Sequence, residues 1–391
     1  MRILFFVSSM HAGGAERVAA TLASAWARRG DSVTLAPTYT KKGHCFYRLN
    51  AAVRLVWLAD RMGWLGRKLW PPLAKWLAIR KLVRETRPDV IVSFLTNVNV
   101  MVLAATRGLG VPVIVCERTN PAFSLSSGDF LKKLRRRTYP WAAAVVLQSE
   151  DSVDAFKAMV PGLDHVAVVP NPLPADIPEA QPVRGALAAV ERRHIVAMGR
   201  LVPIKRFEAL IQAFAALAAD YPEWDLTIWG DGPLREELAR QAAETGLGER
   251  IALPGRTAEP WSELARADVF VLTSQVEGFP NVLLEAMALG RPCVAVDCPS
   301  GPREISQDGK YALLAPLGDQ PALCQALSQL MGDPTLRDVM GRHAAASVRE
   351  RYGLPQLLAR WDALFQSVTA PRGAGGAQAS ARPDGVREND A

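Results

Sequence analysis

Two doubly wound α/β domains, each a Rossmann-like parallel sheet covered by helices, are what this sequence predicts, and three observations carry the prediction. The chain has 391 residues, beyond the roughly 250–300 at which a single core stops growing. Short apolar runs alternate with helix-length segments in both halves, the rhythm of a parallel sheet buried on both faces. Between the halves the rhythm stops at a proline-rich stretch from Pro170 to Pro182, which reads as a linker.

Taken in order, the first half reads as a strand at Ile3–Ser8, a helix near Ala15–Arg29, a strand at Val33–Ala36, a long basic stretch, and strands at Val90–Ser93, Val113–Cys116 and Val145–Gln148. The second half gives strands at Ile195–Met198, Asp225–Trp229, Ile251–Leu253, Val269–Leu272 and Cys293–Val296. Helices near Arg206–Ala218, Leu234–Thr245, Pro260–Ala265 and Pro280–Leu289 lie between those strands, and a sequence of that form closes a second parallel sheet. A last helix, roughly Leu354–Ser367, follows after the sheet looks complete. The expected boundaries are 1–169 for the N-terminal domain, 170–353 for the C-terminal domain, and a Gly-, Ala- and Ser-rich disordered tail over 371–391.

Composition narrows the class. Apolar residues make up 49% and charged residues 22%, as in ordinary globular proteins. Residues 1–169 carry 24 Lys+Arg against 11 Asp+Glu, and the remainder 22 against 28. The N-terminal half is therefore strongly basic, which suits an anionic partner, whether a membrane surface, nucleic acid or a phosphorylated substrate, among which charge alone does not choose. The five cysteines are scattered with no C-x-x-C pair, so neither a disulfide framework nor a zinc site is indicated and a reducing cytoplasm fits. The apolar opening is too short for a signal peptide and reads as the first strand. No run of about 20 apolar residues, the length that spans a bilayer, occurs.

Open parallel sheets bind ligands at the carboxyl ends of their strands, which singles out three loops. After the first strand comes Met10-His11-Ala12-Gly13-Gly14-Ala15-Glu16, where Gly13 and Gly14 let backbone N–H groups approach an oxyanion at a helix N-terminus. Neither a G-x-G-x-x-G fingerprint nor a Walker lysine is present, so dinucleotide and triphosphate binding are not supported. After Ile195–Met198 comes Gly199-Arg200-Leu201-Val202-Pro203-Ile204-Lys205. Arg200 is a forked cation and Lys205 a flexible one, a combination that suits a diphosphate. The third loop is Glu277-Gly278-Phe279-Pro280-Asn281-Val282-Leu283-Leu284-Glu285, with Pro280 suited to the first helical position and the helix N-terminus aimed at the cleft. Glu277 and Glu285 are open to two readings: a glycosidase acid/base pair, or carboxylates that accept sugar or ribose hydroxyls.

At these residues the sequence resembles the family 4 glycosyltransferases, retaining enzymes of the GT-B fold, in which two doubly wound Rossmann-like domains face each other across a cleft. The ordered set includes the GG turn, G-R-x4-K, Gly230-Asp231-Gly232-Pro233, Leu253-Pro254-Gly255-Arg256 and E-x7-E. The resemblance implies that Arg200 and Lys205 hold the donor diphosphate, that Glu277 binds the transferred sugar and that Glu285 binds the ribose. It also implies base contacts near Arg256, backbone contacts from Phe279, Pro280, Asn281, Val282 and Leu283, and a final helix that crosses back onto the N-terminal domain. Arg118, in Glu117-Arg118-Thr119-Asn120, stands where many relatives carry a histidine. An arginine is no base at physiological pH, so an electrostatic or structural part is expected.

The function expected is transfer of a hexose or N-acetylhexosamine from a UDP-sugar to a lipid-linked saccharide at the inner face of the cell membrane. No Asp-x-Asp pair occurs, and neither metal nor other cofactor is expected. A nucleotide-sugar epimerase or hydrolase, or a silent sugar-nucleotide or membrane-binding module, is the alternative; a nicotinamide oxidoreductase lacks its fingerprint. Membrane contact is expected of residues 61–87, with eight Lys+Arg, one Glu and tryptophans at 64, 70 and 76. Trp70, Trp76 and Arg80 are the candidates there; a helix packed on the sheet, its basic side chains reaching solvent from an apolar stem, reads the same. A second basic run, Lys132-Lys133-Leu134-Arg135-Arg136-Arg137, extends the positive surface, and no nucleic-acid-binding motif accompanies it.

Overall fold

The computed structural model describes residues 1–39, 43, 45–63, 68, 70–118, 128–181 and 192–370. Trp64, Thr119, Asn120, Pro182 and the stretch 371–391 lie outside the described residues. The first half forms a sheet from β1 (Arg2–Val7), β2 (Ser32–Pro37), β3 (Arg54–Leu55), β4 (Val90–Phe94), β5 (Val113–Cys116), β6 (Ala144–Leu147) and β7 (Val166–Val168). Its order is β3-β2-β1-β4-β5-β6-β7, parallel throughout. The second half forms another from β8 (Arg193–Met198), β9 (Trp224–Trp229), β10 (Ile251–Gly255), β11 (Val269–Leu272), β12 (Cys293–Asp297) and β13 (Leu313–Pro316). Its order is β10-β9-β8-β11-β12-β13, again parallel.

Helices cover both faces of each sheet, and the central strands are accordingly buried on both; all five residues of β4 are buried. In chain order the helices of the first half are α1 (Gly14–Arg28), α2 (Pro71–Thr86), α3 (Thr96–Thr106), α4 (Asp129–Thr138) and α5 (Val153–Met159). Those of the second are α6 (Phe207–Leu217), α7 (Arg235–Glu244), α8 (Pro260–Ala265), α9 (Asn281–Ala288), α10 (Pro302–Ser306), α11 (Gln320–Gly332), α12 (Pro334–Tyr352) and α13 (Leu354–Thr369). α1 buries Val18, Leu22 and Trp26 at four-residue spacing against its sheet, with Glu16 in its first turn and Arg28 in its last, both favourable to the helix dipole. Strand order reverses between β1 and β4 and between β8 and β11. An open sheet splays its connections apart at such a reversal and leaves a crevice. The Gly13-Gly14 turn follows β1 and the Arg200 loop follows β8.

α13 buries Leu357, Trp361 and Phe365 at four-residue spacing. Trp361 meets Trp26 of α1 edge-on, with ring centroids 5.5 Å apart, and Phe365 lies 5.4 Å from the same indole. Arg29 Nη1 donates to Asp362 Oδ1 at 2.6 Å beside them. One apolar cluster consequently runs from Phe5 and Trp26 through Trp361 and Tyr352 to Phe279 and Leu283, so both halves share a core.

Three short strands escape the sequence reading. The second sheet is not complete at β12, because β13 adds a parallel edge strand beyond it. β3, with two residues, and β7, with three partly exposed ones, form edges whose pattern is too short to register. Pro280 precedes the first residue of α9 instead of occupying it.

Replacing Trp361 by alanine leaves Trp26 and Phe365 facing a void. The expected loss is about 3–5 kcal/mol, measured by denaturant unfolding; a loss under about 1 kcal/mol would show that the two tryptophans do not join the final helix to the first domain.

Candidate active site

The loop after β8 is fixed by backbone bonds to its neighbours. Gly199 N–H donates to Trp229 O at 2.9 Å, Leu201 N–H to Asp231 O at 3.0 Å, and Leu234 N–H to Leu201 O at 3.1 Å. Gly230, at φ 146°, lies so close that a Cβ there would stand 1.8 Å from Gly199 O. Glycine is therefore required where Gly230-Asp231-Gly232-Pro233 cradles the arginine loop. The loop ends in a single turn at Pro203–Lys205, and Thr273 Oγ1 donates to Lys205 O at 2.8 Å.

This scaffold holds Arg200 exposed at the carboxyl end of β8, with no ion pair to it among the described residues. Lys205 Nζ instead donates to Glu277 Oε1, which also accepts from Ser274 Oγ at 2.6 Å. Arg256 reaches Asp231 Oδ2 at 3.5 Å and stays 72% exposed. Glu285, on α9, is buried: its oxygens accept from Arg17 Nη2 and, at 3.1 Å, from Trp261 Nε1. Burial pushes the Glu285 carboxyl up, and Arg17 and Trp261 pull it back. The two glutamates thus face different cations, one from each domain.

The first domain closes on this site through the glycine turn. A Cβ on Gly14 would lie 3.2 Å from Asn281 Nδ2, so α1 starts directly against the N-terminus of α9. Gly13 N–H donates to the Tyr47 hydroxyl at 3.1 Å, and that hydroxyl donates to Gly13 O at 2.9 Å. Around Asn281, Pro280 O accepts from Leu283 N–H at 3.0 Å, so the Leu283 amide is occupied within the helix, while Phe279 is buried against Tyr352 and Val282 packs at the core edge.

Arg118 lies in the interior, not on the surface. It is 8% exposed, its guanidinium 3.5 Å from the Phe94 ring centroid, and Nη1 donates to Asn171 Oδ1 at 2.6 Å. Asn171 Nδ2 in turn donates to Asn281 Oδ1 at 2.7 Å. Arg118 of the first domain, Asn171 of the connection and Asn281 of the second therefore form one chain of bonds. Burial brings Arg118 down to about 10, which leaves it charged at neutral pH and unable to act as a base. Beside it, Glu117 is wholly enclosed and receives Tyr139 Oη at 2.5 Å and Thr96 Oγ1 at 2.8 Å; burial raises its carboxyl, and the Tyr139 hydroxyl opposes that.

The residues expected at a membrane divide. Trp76 is half-buried and its Nε1 donates to Ala104 O at 3.2 Å; Arg80 Nη1 donates to Ala105 O at 2.8 Å. Both satisfy carbonyls at the C-terminal end of α3, so they serve the fold. Trp70, Leu73 and Leu77 on or beside α2, and Phe130 on α4, are exposed. Arg135 in the second basic run turns inward, 2% exposed and 4.0 Å from Glu117. Sequence reading missed Arg17, Tyr47, Trp261 and Asn171, none of which belongs to a motif it quoted except by adjacency.

Two family models divide the chain between them: "Glycosyl transferase 4-like domain" over residues 13–172 and "Glycosyl transferases group 1" over residues 192–333. The chain belongs to the GT-B glycosyltransferases. A Campylobacter jejuni α-1,4-N-acetyl-D-galactosaminyltransferase, named for a saccharide on diNAcBac-PP-undecaprenol, is 28% identical over 94% of this chain and 99% of its own length. An exopolysaccharide phosphotransferase of Streptomyces coelicolor is 36% identical over 59% of this glycosyltransferase, which spans only 24% of that protein. Anabaena HepE, solved with UDP, shares the fold at a TM-score of 0.74 and 21% identity, covering 94% of this chain and all of its own.

Because Gly230 meets Gly199 backbone to backbone, no side-chain rearrangement relieves an added methyl. Gly230→Ala is expected to cost on the order of 3 kcal/mol or more and to abolish turnover. Wild-type unfolding midpoint and turnover in that variant would contradict the cradle.

Proposed function

We propose that this glycosyltransferase moves a hexose or N-acetylhexosamine from a UDP-sugar to a hydroxyl of a lipid-linked saccharide, with retention of anomeric configuration. The observation that carries the reading is the pairing at the carboxyl end of β8: Arg200 exposed, and Lys205 held beside Glu277. A leaving diphosphate gains charge as the glycosidic bond breaks, and preorganised cations favour that change in place of a divalent ion. Glu277 then faces the sugar and Glu285 the ribose. The acceptor oxygen bonds to the anomeric carbon from the face the diphosphate leaves, and a phosphate oxygen takes the acceptor's proton. The name of the Campylobacter jejuni relative supports a polyprenyl-diphosphate-linked acceptor, and the UDP in the HepE structure supports a uridine donor.

A lipid-linked acceptor places the enzyme at a membrane. Among the described residues no helix is long and apolar enough to cross one, and exposed apolar and basic side chains support contact at its surface. Trp70, Leu73 and Phe130 stand at the N-terminal ends of α2 and α4, with Trp70 69% and Phe130 75% exposed. Helices that cross between parallel strands start at the carboxyl edge of the sheet, the edge that faces the cleft. Exposed Lys132, Lys133, Arg136 and Arg137 lie on the same helix as Phe130, and each cation near anionic lipid contributes about 1 kcal/mol.

Arg200→Ala and Lys205→Ala are each expected to lower kcat roughly a hundred- to a thousandfold with near-wild-type unfolding. Assays with candidate UDP-sugars, with and without a lipid-linked saccharide, read this directly; acceptor-independent consumption of the donor would instead favour an epimerase or hydrolase. Cosedimentation with vesicles is expected to rise with anionic lipid, fall with salt and weaken in a Trp70→Ser, Phe130→Ser variant. Equal recovery in the supernatant with and without anionic vesicles would contradict the membrane contact.

A further inference from the structure

Glu285 belongs to the second domain, yet the cation beside it belongs to the first. Arg17 Nη2 donates to Oε1, Trp261 Nε1 of α8 donates to Oε2, and the side chain of Glu285 is 3% exposed. The other titratable groups facing this cluster are Tyr47 and Glu16: the Tyr47 phenol feels Arg17, Glu16 and Glu285, while Glu16 accepts from Ser9 Oγ at 2.7 Å. Arg17 is the one cation bonded to Glu285 among the described residues. It stands on the first turn of α1, whose start is seated against Asn281 at the first turn of α9, so the contact exists only while the two domains are together.

A carboxylate enclosed in this way takes up a proton unless a cation and hydrogen-bond donors oppose it. Each of its oxygens has two lone pairs. Arg17 and Trp261 use one on each, which leaves one on each for the two hydroxyls of a vicinal diol. We propose that Arg17 is a positioning residue that reaches across the cleft to hold the Glu285 carboxylate ionised and aimed at the donor's ribose, completing the nucleotide subsite only when the domains close. This rests on the reading that Glu285 meets the donor.

The test is donor kinetics across acid and neutral pH for Arg17→Gln, Arg17→Lys, Glu285→Gln and the Arg17→Gln, Glu285→Gln pair. Arg17 keeps 22% of its side chain exposed. Arg17→Gln is expected to raise the donor KM about tenfold, equivalent to about 1.4 kcal/mol, with a smaller change in kcat. The acid limb of kcat/KM should move to higher pH: the active form is the carboxylate, and without its cation the carboxyl holds its proton to higher pH. Arg17→Lys should restore most of both, and Arg17→Gln should add nothing in the Glu285→Gln background. If Glu285→Gln raises the donor KM while Arg17→Gln leaves KM and the acid limb unchanged, or tightens donor binding, Arg17 has no positioning part. If Glu285→Gln itself leaves donor KM unchanged, the ribose reading falls and takes this inference with it.

Discussion

A carboxylate withdrawn from water keeps its charge only beside a cation and hydrogen-bond donors, and the cleft of this enzyme is built from such compensations. Glu277 has Lys205 and Ser274; Glu285 has Arg17 and Trp261; Glu117 has Tyr139, Thr96 and the more distant Arg135. The first is closed within one domain, the second spans both, and the third is buried just past the carboxyl end of β5. Their placement follows from topology. Each parallel sheet reverses strand order once, and at that reversal the loop after its first strand is free to carry glycine or charge toward the cleft.

The connection between the halves is polar as well as apolar. Trp361 and Phe365 bring the last helix back onto Trp26, which fixes the two sheets on one core. Above that core, Arg118, Asn171 and Asn281 link the first domain, the connection and the second by two hydrogen bonds. A neutral imidazole at position 118 would not carry the permanent charge that stacks on Phe94. Arg118 is thus tied to domain packing.

Much of this was legible in the sequence where local pattern and chemistry agree. β5 and β11 are continuous apolar runs and fall where the pattern places them, whereas the close approach of Gly230 to Gly199 is visible only in the backbone. Arg17, by contrast, follows the quoted glycine turn by a few residues and looked like any helix-surface arginine, because its partner lies 268 positions away. Trp76 and Arg80 read two ways for a related reason: interfacial tryptophan and arginine look the same in sequence whether they face lipid or the carbonyls at the end of a neighbouring helix. The two-residue β3 was invisible because alternation needs more positions to show.

The central claim is that the crevice at the carboxyl end of β8 holds a nucleotide diphosphate between Arg200 and Lys205, with the ribose on Glu285. A crystal structure of the enzyme with UDP tests it most directly. The account predicts diphosphate oxygens within hydrogen-bond reach of both cations, ribose hydroxyls on the Glu285 carboxylate and Arg17 still beside it. A nucleotide bound elsewhere, or a diphosphate turned away from Arg200 and Lys205, would contradict it.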